Sequence, residues 1–186
     1  MSLSHAILGF LQQQPLTGYD LKTQCFDISV ANFWPADQAQ IYRTLDRLEE
    51  QGWVESELEI QRDRPNRKVY HITEAGRAEL ARWLITPQPL PIHREPFLVQ
   101  LFFAAQLPDE TILDLLEQQI AAHEAQLHAY EQIPLPPEVM DNDRELALAR
   151  LTLDMGIRSE TMYLAWLRDA AAAVRRLPAR KREDGE

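Results

Sequence analysis

Apolar positions in the first half of the chain change period several times, and each change marks an element. Leu3, Ile7, Phe10 and Leu11 share one face of a helix over residues 3–14, which Pro15 ends. In the following Leu16-Thr17-Gly18-Tyr19-Asp20-Leu21, Thr17 is placed to cap a second helix and Asp20 to close an acidic capping box, with Leu16 stapled against Leu21. That helix runs to about residue 27. Residues 28–35 are looser and end in Trp34-Pro35, where proline biases its predecessor away from helix. Asp37 caps a third helix with Gln40 as its box partner. Ile41, Leu45 and Leu48 form its inward stripe, and Gly52 closes it. Residues 53–60 then switch to period two, with Val54, Ser56, Leu58 and Ile60 on one side and Glu55, Glu57 and Glu59 on the other, a half-buried strand. Residues 64–67 form a turn, residues 68–72 return as a second strand, and Thr73 caps a fourth helix ending near residue 84.

Three helices, a hairpin and a helix in 85 residues are the order of a winged helix-turn-helix. Pro87, Pro89 and Pro91 make residues 86–93 a stiff linker, and everything beyond has helical period. A short apolar helix over 97–105 is followed by an amphipathic one over 109–132, which Pro134, Pro136 and Pro137 break. A long final helix spans residues 143–177, and residues 178–186 read as a solvated tail. The expected fold is therefore mainly α: a winged helix-turn-helix with a β-hairpin wing over 1–85, and an all-α dimerisation domain over 94–177.

The final helix carries two apolar stripes. One runs through Leu146, Leu153, Ile157, Leu164, Leu167, Ala171 and Val174, interrupted by Arg150 and Glu160; the other runs through Leu148, Leu151, Met155, Met162 and Trp166. Two stripes on one appendage call for a partner helix, so a homodimer is expected, with the first stripe as its candidate seam. Gly156 inside this helix marks a bend or a close helix approach.

Composition adds exclusions. The 186 residues are 45 % hydrophobic and 26 % charged, in the range of globular chains. Without an apolar run long enough to span a bilayer, no membrane association is expected; without a basic n-region, no signal peptide is expected. A single cysteine, Cys25, excludes an intramolecular disulfide and fits a cytoplasmic protein; with no basic neighbour in sequence it reads as an inert core thiol. His123 and His128 lie five apart and cannot readily share a metal, while Glu124 and His128 read as a surface pair. Phosphate-cradling and nucleophile motifs are lacking, so neither a cofactor nor catalysis is expected.

Net charge is −10, which taken alone argues against a phosphate-binding protein. Residues 1–85 hold 9 basic and 12 acidic groups, a balance of −3, yet residues 61–68 hold four basic groups and one acid. Those cations, Arg62, Arg64, Arg67 and Lys68, sit with Asn66 at the hairpin tip, where they suit phosphate or minor-groove contact; a charged hairpin that discourages edge pairing is the plainer reading. Opposite the inward stripe, the third helix presents Ala39, Gln40, Arg43, Asp46, Arg47 and Glu50, with Gln38 near its N-terminus; Gln and Arg there suit the reading of base edges in a major groove and also a solvated face, whereas Glu50 suits solvent or opposes binding. Lys22 and Tyr42 are further candidate phosphate contacts. Trp34, Trp53, Trp83 and Trp166 read first as core or interface residues.

The same residues resemble PadR-type transcriptional regulators. The resemblance is carried by Ala6-Ile7-Leu8-Gly9-Phe10-Leu11, Pro15-Leu16-Thr17-Gly18-Tyr19-Asp20-Leu21, Trp34, Gln40-Ile41-Tyr42 and Leu45. Arg47-Leu48-Glu49-Glu50-Gln51-Gly52 continues it, as do the segment from Arg67-Lys68-Val69-Tyr70-His71 through Ile72-Thr73-Glu74-Ala75-Gly76-Arg77 and then Trp83-Leu84. The second half is similar to the helical C-terminal domain of the longer, virulence-activator-like branch. Its landmarks are Arg94-Glu95-Pro96-Phe97, Leu101-Phe102-Phe103, Gly156-Ile157-Arg158 and Trp166-Leu167. The chain departs from the family pattern at Asp37, where Ser is usual, at Ala39, where Gly is usual, and at Arg43, so a target sequence does not transfer. The resemblance implies a homodimeric regulator, more often a repressor, on palindromic double-stranded DNA. It also implies a small apolar or phenolic effector, for which Phe102 and Trp166 are candidates. The acidic balance supports a different expectation, a protein-interaction scaffold that keeps the winged helix without binding DNA.

Overall fold

In the computed structural model, which describes residues 2–31, 33–60, 66–136 and 143–178, every predicted helix forms, and the chain divides into two compact units, Met1–Pro91 and Ile92–Glu186. The first helix, α1 (Ser2–Gln13), buries Ile7, Leu8 and Leu11. After Pro15, a two-residue strand, β1 (Leu16–Thr17), leads into α2. One α-turn, Gly18–Asp20, is set by the expected Thr17–Asp20 capping box, and the chain then widens into a π-helical turn, Leu21–Phe26. The widening differs from the regular helix the pattern predicted. Its mark is the Asp27 amide donating to Lys22 O at 2.9 Å, and it leaves Leu21, Cys25 and Phe26 all buried.

Helix α3 (Gln38–Glu50) begins at the Asp37–Gln40 capping box and buries Ile41, Thr44, Leu45 and Leu48. Gly52 ends it at φ 69°, while the Gly52 amide reaches Glu49 O and the Trp53 amide reaches Leu48 O, both at 2.9 Å. This is the left-handed C-terminal closure that favours glycine. Strands β2 (Val54–Glu59) and β3 (Arg67–Ile72) pair antiparallel, and β1 adds to the other side of β3, giving the order β1-β3-β2. Val54, Tyr70 and Ile72 close the core, but Leu58 and Ile60 are 63 % and 79 % exposed. The alternation of residues 53–60 thus predicted an inward side that the hairpin outruns: beyond Ser56 the ribbon extends past the core it would cover. Thr73 caps α4 (Glu74–Leu84), its hydroxyl accepting from the Gly76 amide at 3.1 Å. A Cβ built on Gly76 would stand 2.1 Å from Trp53 O, so this backbone contact requires glycine. His5 of α1 fastens α4 by stacking on Trp83 at 4.6 Å and bonding Glu79 at 3.0 Å.

The second unit holds α5 (Pro96–Phe102), a short 3-10 turn at Ala104–Gln106, α6 (Asp109–Glu131) and α7 (Arg144–Val174). Phe97, Ala104, Ile112, Leu116, Leu167, Ala171 and Val174 form its core. Of the two readings of Gly156, a bend or a close approach, the approach is present: a Cβ there would lie 3.1 Å from the Tyr130 ring of α6.

Candidate nucleic-acid interface

The capping box at Asp37 fixes where α3 starts, and the buried stripe fixes how it is rolled; together they turn Gln38, Ala39, Gln40, Arg43 and Arg47 outward. Gln40, Arg43 and Arg47 line one side of an open depression of about 500 Å³, with Leu3 and Ser4 of α1, Trp34, Pro35 and Thr44 making up the rest. Trp34, 39 % exposed, stands at that depression rather than in the core. Arg43 has no hydrogen-bonding or ionic partner among the described residues, so its five donors face solvent. Arg47 is different: its guanidinium donates to the buried Ser4 Oγ at 2.8 Å, tying α3 to the start of α1. Ser4 was not legible as a site residue, because a serine near a chain's start carries no sequence signal of its own.

Four of the remaining candidates are committed to protein partners. Tyr42 lies over Gly18, where an added Cβ would come within 2.7 Å of its ring. Lys22 forms an ion pair with Asp27. Arg67 donates twice to Glu59 Oε2, at 2.6 and 3.1 Å, and Lys68 donates to Glu49 Oε2 at 2.7 Å while lying over the Tyr70 ring. The Lys68 and Ser56 hydrogen bonds hold the Glu49 carboxyl below its usual range, and Glu49 in turn raises Lys68. Asn66 is exposed at the start of β3, whereas Arg62 and Arg64 lie outside the described residues. Sequence reasoning therefore found the cations and missed Glu49 and Glu59; the pairing of residues 59 and 67 follows from strand register, which the pattern leaves open. Cys25 is buried, and burial with Asp20 nearby pushes its thiol up to about 11, so it stays protonated at neutral pH.

In the second unit, the stripe expected as the dimer seam is turned mostly inward. Leu153, Leu164, Leu167, Ala171 and Val174 are buried within the unit and Ile157 is half-buried; only Leu146, 41 % exposed, faces outward. The two polar interruptions explain the reversal: Glu160 bonds His123 of α6, and Arg150 donates to Leu135 O and pairs with Asp154. The outward face is the second stripe, with Leu148, Leu151, Met155 and Met162 all more than half exposed. Trp166 sits edge-on to Phe97 and Tyr163, while Phe102 is 80 % exposed against Phe103, so the two effector candidates have different neighbours. Glu124 pairs with Arg168 rather than with His128. Among the described residues no cluster of metal-ligating side chains occurs, and no helix is long and apolar enough to cross a membrane.

An outward polar helix face beside a β-hairpin wing, followed by a separate helical unit, defines a winged-helix fold with an appended helical unit. Residues 7–82 match the Transcriptional regulator PadR-like family and residues 93–175 match Virulence activator alpha C-term. The negative transcriptional regulator PadR of Bacillus subtilis is 30 % identical over 177 residues, covering 92 % of this chain and 97 % of that protein. Crystal structures of Bacillus subtilis PadR are similar, in complex with operator DNA (TM-score 0.84, 28 % identity, 94 % of this chain and 99 % of that one). The complex with p-coumaric acid has a TM-score of 0.77 at 29 % identity over the same shares of the two chains. The Vibrio cholerae virulence activator AphA is also similar, at a TM-score of 0.76 and 28 % identity over 95 % of this chain and 99 % of that one. The chain belongs to the PadR-like family of transcriptional regulators.

Proposed function

We propose that this chain is a sequence-specific DNA-binding repressor that acts as a homodimer on a palindromic operator. The observation that carries the reading is the outward face of α3, where Gln38, Gln40 and Arg43 are exposed; Gln40 Oε1 accepts from the Asp37 amide in the capping box, and Arg43 has no partner among the described residues. Gln pairs bidentately with adenine and Arg with guanine, each good pair contributing about 1–3 kcal/mol of discrimination. Arg47, held by Ser4, positions the start of α1 beside that face and offers its remaining donors to the groove or backbone. Arg62, Arg64, Arg67 and Lys68 supply backbone contacts from the wing, with Asn66 at its end. Lys22 and Tyr42 brace α2 and α3 and are secondary contacts.

The homodimer reading rests on Leu148, Leu151, Met155 and Met162, four large apolar side chains on one exposed stripe of α7. A dimer that reads an inverted repeat needs its two α3 helices on successive major grooves, about 34–36 Å apart for one helical turn. Repression is favoured by the full-length similarity to a negative regulator. Control by a small apolar or phenolic effector draws on the relative solved with p-coumaric acid, with Trp166 and Phe102 as the residues to probe.

Fluorescence anisotropy of the protein on its own upstream DNA, against a scrambled duplex at about 50 and about 200 mM salt, tests the reading. The expected result is preferential binding that weakens with salt and is lost in Arg43→Ala. Binding to no duplex at either salt overturns it and leaves the winged helix as a protein-interaction scaffold, the alternative that the −10 net charge favours.

A further inference from the structure

The two described wing cations that form ion pairs are held by carboxylates on opposite faces of one ribbon. Glu59 and Arg67 are register partners across β2 and β3, and the Arg67 guanidinium spends Nε and Nη2 on Glu59 Oε2. Lys68, the next residue, points to the other face and donates to Glu49 on the last turn of α3. Glu49 accepts from Ser56 Oγ through its second oxygen, at 2.5 Å, which fixes the carboxylate in place between helix and wing. Arg43, by contrast, has no such partner among the described residues.

We propose that Glu49 and Glu59 are internal counter-anions that DNA phosphates must displace from Lys68 and Arg67, and that they thereby set the affinity threshold of the wing. The inference rests on the DNA-binding reading above and assigns a specificity role to two residues outside the reading face. A guanidinium or ammonium already bonded to a carboxylate presents the same N–H groups that a phosphate oxygen would take. Exchange of one anion for the other releases a counterion from DNA but leaves a bare carboxylate that recruits a cation, so each exchanged residue adds little to the net ion release. Duplexes that engage α3 drive the exchange; duplexes that do not leave the wing neutralised. An acidic DNA-binding unit, at −3 over residues 1–85, thus avoids indiscriminate binding without lacking phosphate contacts.

The test compares salt slopes of anisotropy binding for the full chain, from about 50 to 200 mM, on upstream and scrambled duplexes. The proteins are wild type, Glu59→Gln, Glu49→Gln, Arg67→Ala, the Glu59→Gln/Arg67→Ala double variant and Glu55→Gln, a charge change on the same strand. Glu59→Gln and Glu49→Gln are expected to bind the scrambled duplex up to about fivefold tighter at low salt, the range an exposed ion pair allows. Each steepens the slope by about 0.9, the contribution of one phosphate. Arg67→Ala leaves the wild-type slope nearly unchanged yet removes the gain of Glu59→Gln. Slopes for Glu59→Gln and Glu49→Gln that match Glu55→Gln and wild type, with wild type binding DNA, overturn this inference alone. Failure of every protein to bind any duplex overturns the DNA-binding reading and this inference with it. Thermal melts accompany the series, and Glu59→Gln, on the exposed end of the hairpin, decides the matter if Glu49→Gln melts early.

Discussion

The two units dispose of apolar surface in opposite ways. In the first, the inward stripes of α1 and α3 meet β3 over a closed core, and the exposed apolar groups are scattered, with Ile28, Phe33, Ile60, Ile85 and Leu90 in connections or at the hairpin's end and Tyr19, Tyr42 and Leu84 singly on three helices. In the second, α5 and α6 cover one stripe of α7, and the other remains outward in a row. The first unit is complete as a single chain, whereas the second presents a surface that a second copy would cover. A helix with two apolar stripes does not declare which one its own chain buries. Here it is the stripe containing Arg150 and Glu160, because both find partners on neighbouring elements. A polar interruption is therefore no sign of an exposed stripe when a complementary group stands across from it.

Paired glycine substitutions give the largest contrast. Gly76→Ala drives a Cβ into the Trp53 carbonyl, a backbone group that cannot yield, and is expected to cost the first unit about 3 kcal/mol or more. Gly156→Ala meets only the Tyr130 ring at 3.1 Å and gains about 1 kcal/mol of helix propensity, so the second unit should melt within about 1 kcal/mol of wild type. Denaturant unfolding followed by circular dichroism measures both. Equal costs at the two positions would show that the approach at Gly76 is relieved in solution.

The two stripes of α7 separate folding from association. Leu167, fully buried, should lose about 2–5 kcal/mol of unit stability on truncation to Ala. Met155→Glu with Met162→Glu should leave folding intact and convert a dimer to a monomer by sedimentation. Dissociation by Leu167→Ala in its folded state, with the Met155/Met162 variant still dimeric, would restore the buried stripe as the seam.

The smallest effect is electrostatic. Glu49 is held below the ordinary carboxylate value of 4.5, so its contribution is present above that pH and lost as pH falls through the folded value. Lys68 is raised above 10.5, so its contribution is present below that pH and lost as pH rises through the folded value. The pair stabilises the first unit between those limits, by a few tenths of a kcal/mol for so exposed a contact. Glu49→Gln should accordingly flatten the acid limb of a melting-temperature profile, and an unchanged limb would place the acid sensitivity elsewhere, with Glu79 next in line since His5 and Arg82 hold it low.

Element order and caps were legible in the sequence because each has a local cause: Thr17, Asp37 and Thr73 accept the backbone amides their spacing predicted. Strand β1 was not legible, since two residues carry no period and Leu16–Thr17 pairs only because β3 lies beside it. The π-turn at Leu21–Phe26 escaped for a similar reason: its burial of Leu21, Cys25 and Phe26 is decided by tertiary packing. At the candidate interface the outward α3 residues followed from helical period alone. The partners of Arg47, Arg67 and Lys68 did not, because Ser4, Glu59 and Glu49 are joined to them by packing and register.

On the proposed reading, α3 reads sequence while the wing supplies affinity. Selection of bound duplexes from a random pool tests it most directly, run with wild type, Arg43→Ala, Gln40→Ala and Arg67→Ala. Wild type is expected to select an inverted repeat whose defined base positions Arg43→Ala or Gln40→Ala relaxes, and Arg67→Ala to keep the repeat intact. No enriched sequence, or a repeat unaltered by both α3 substitutions, would contradict that reading.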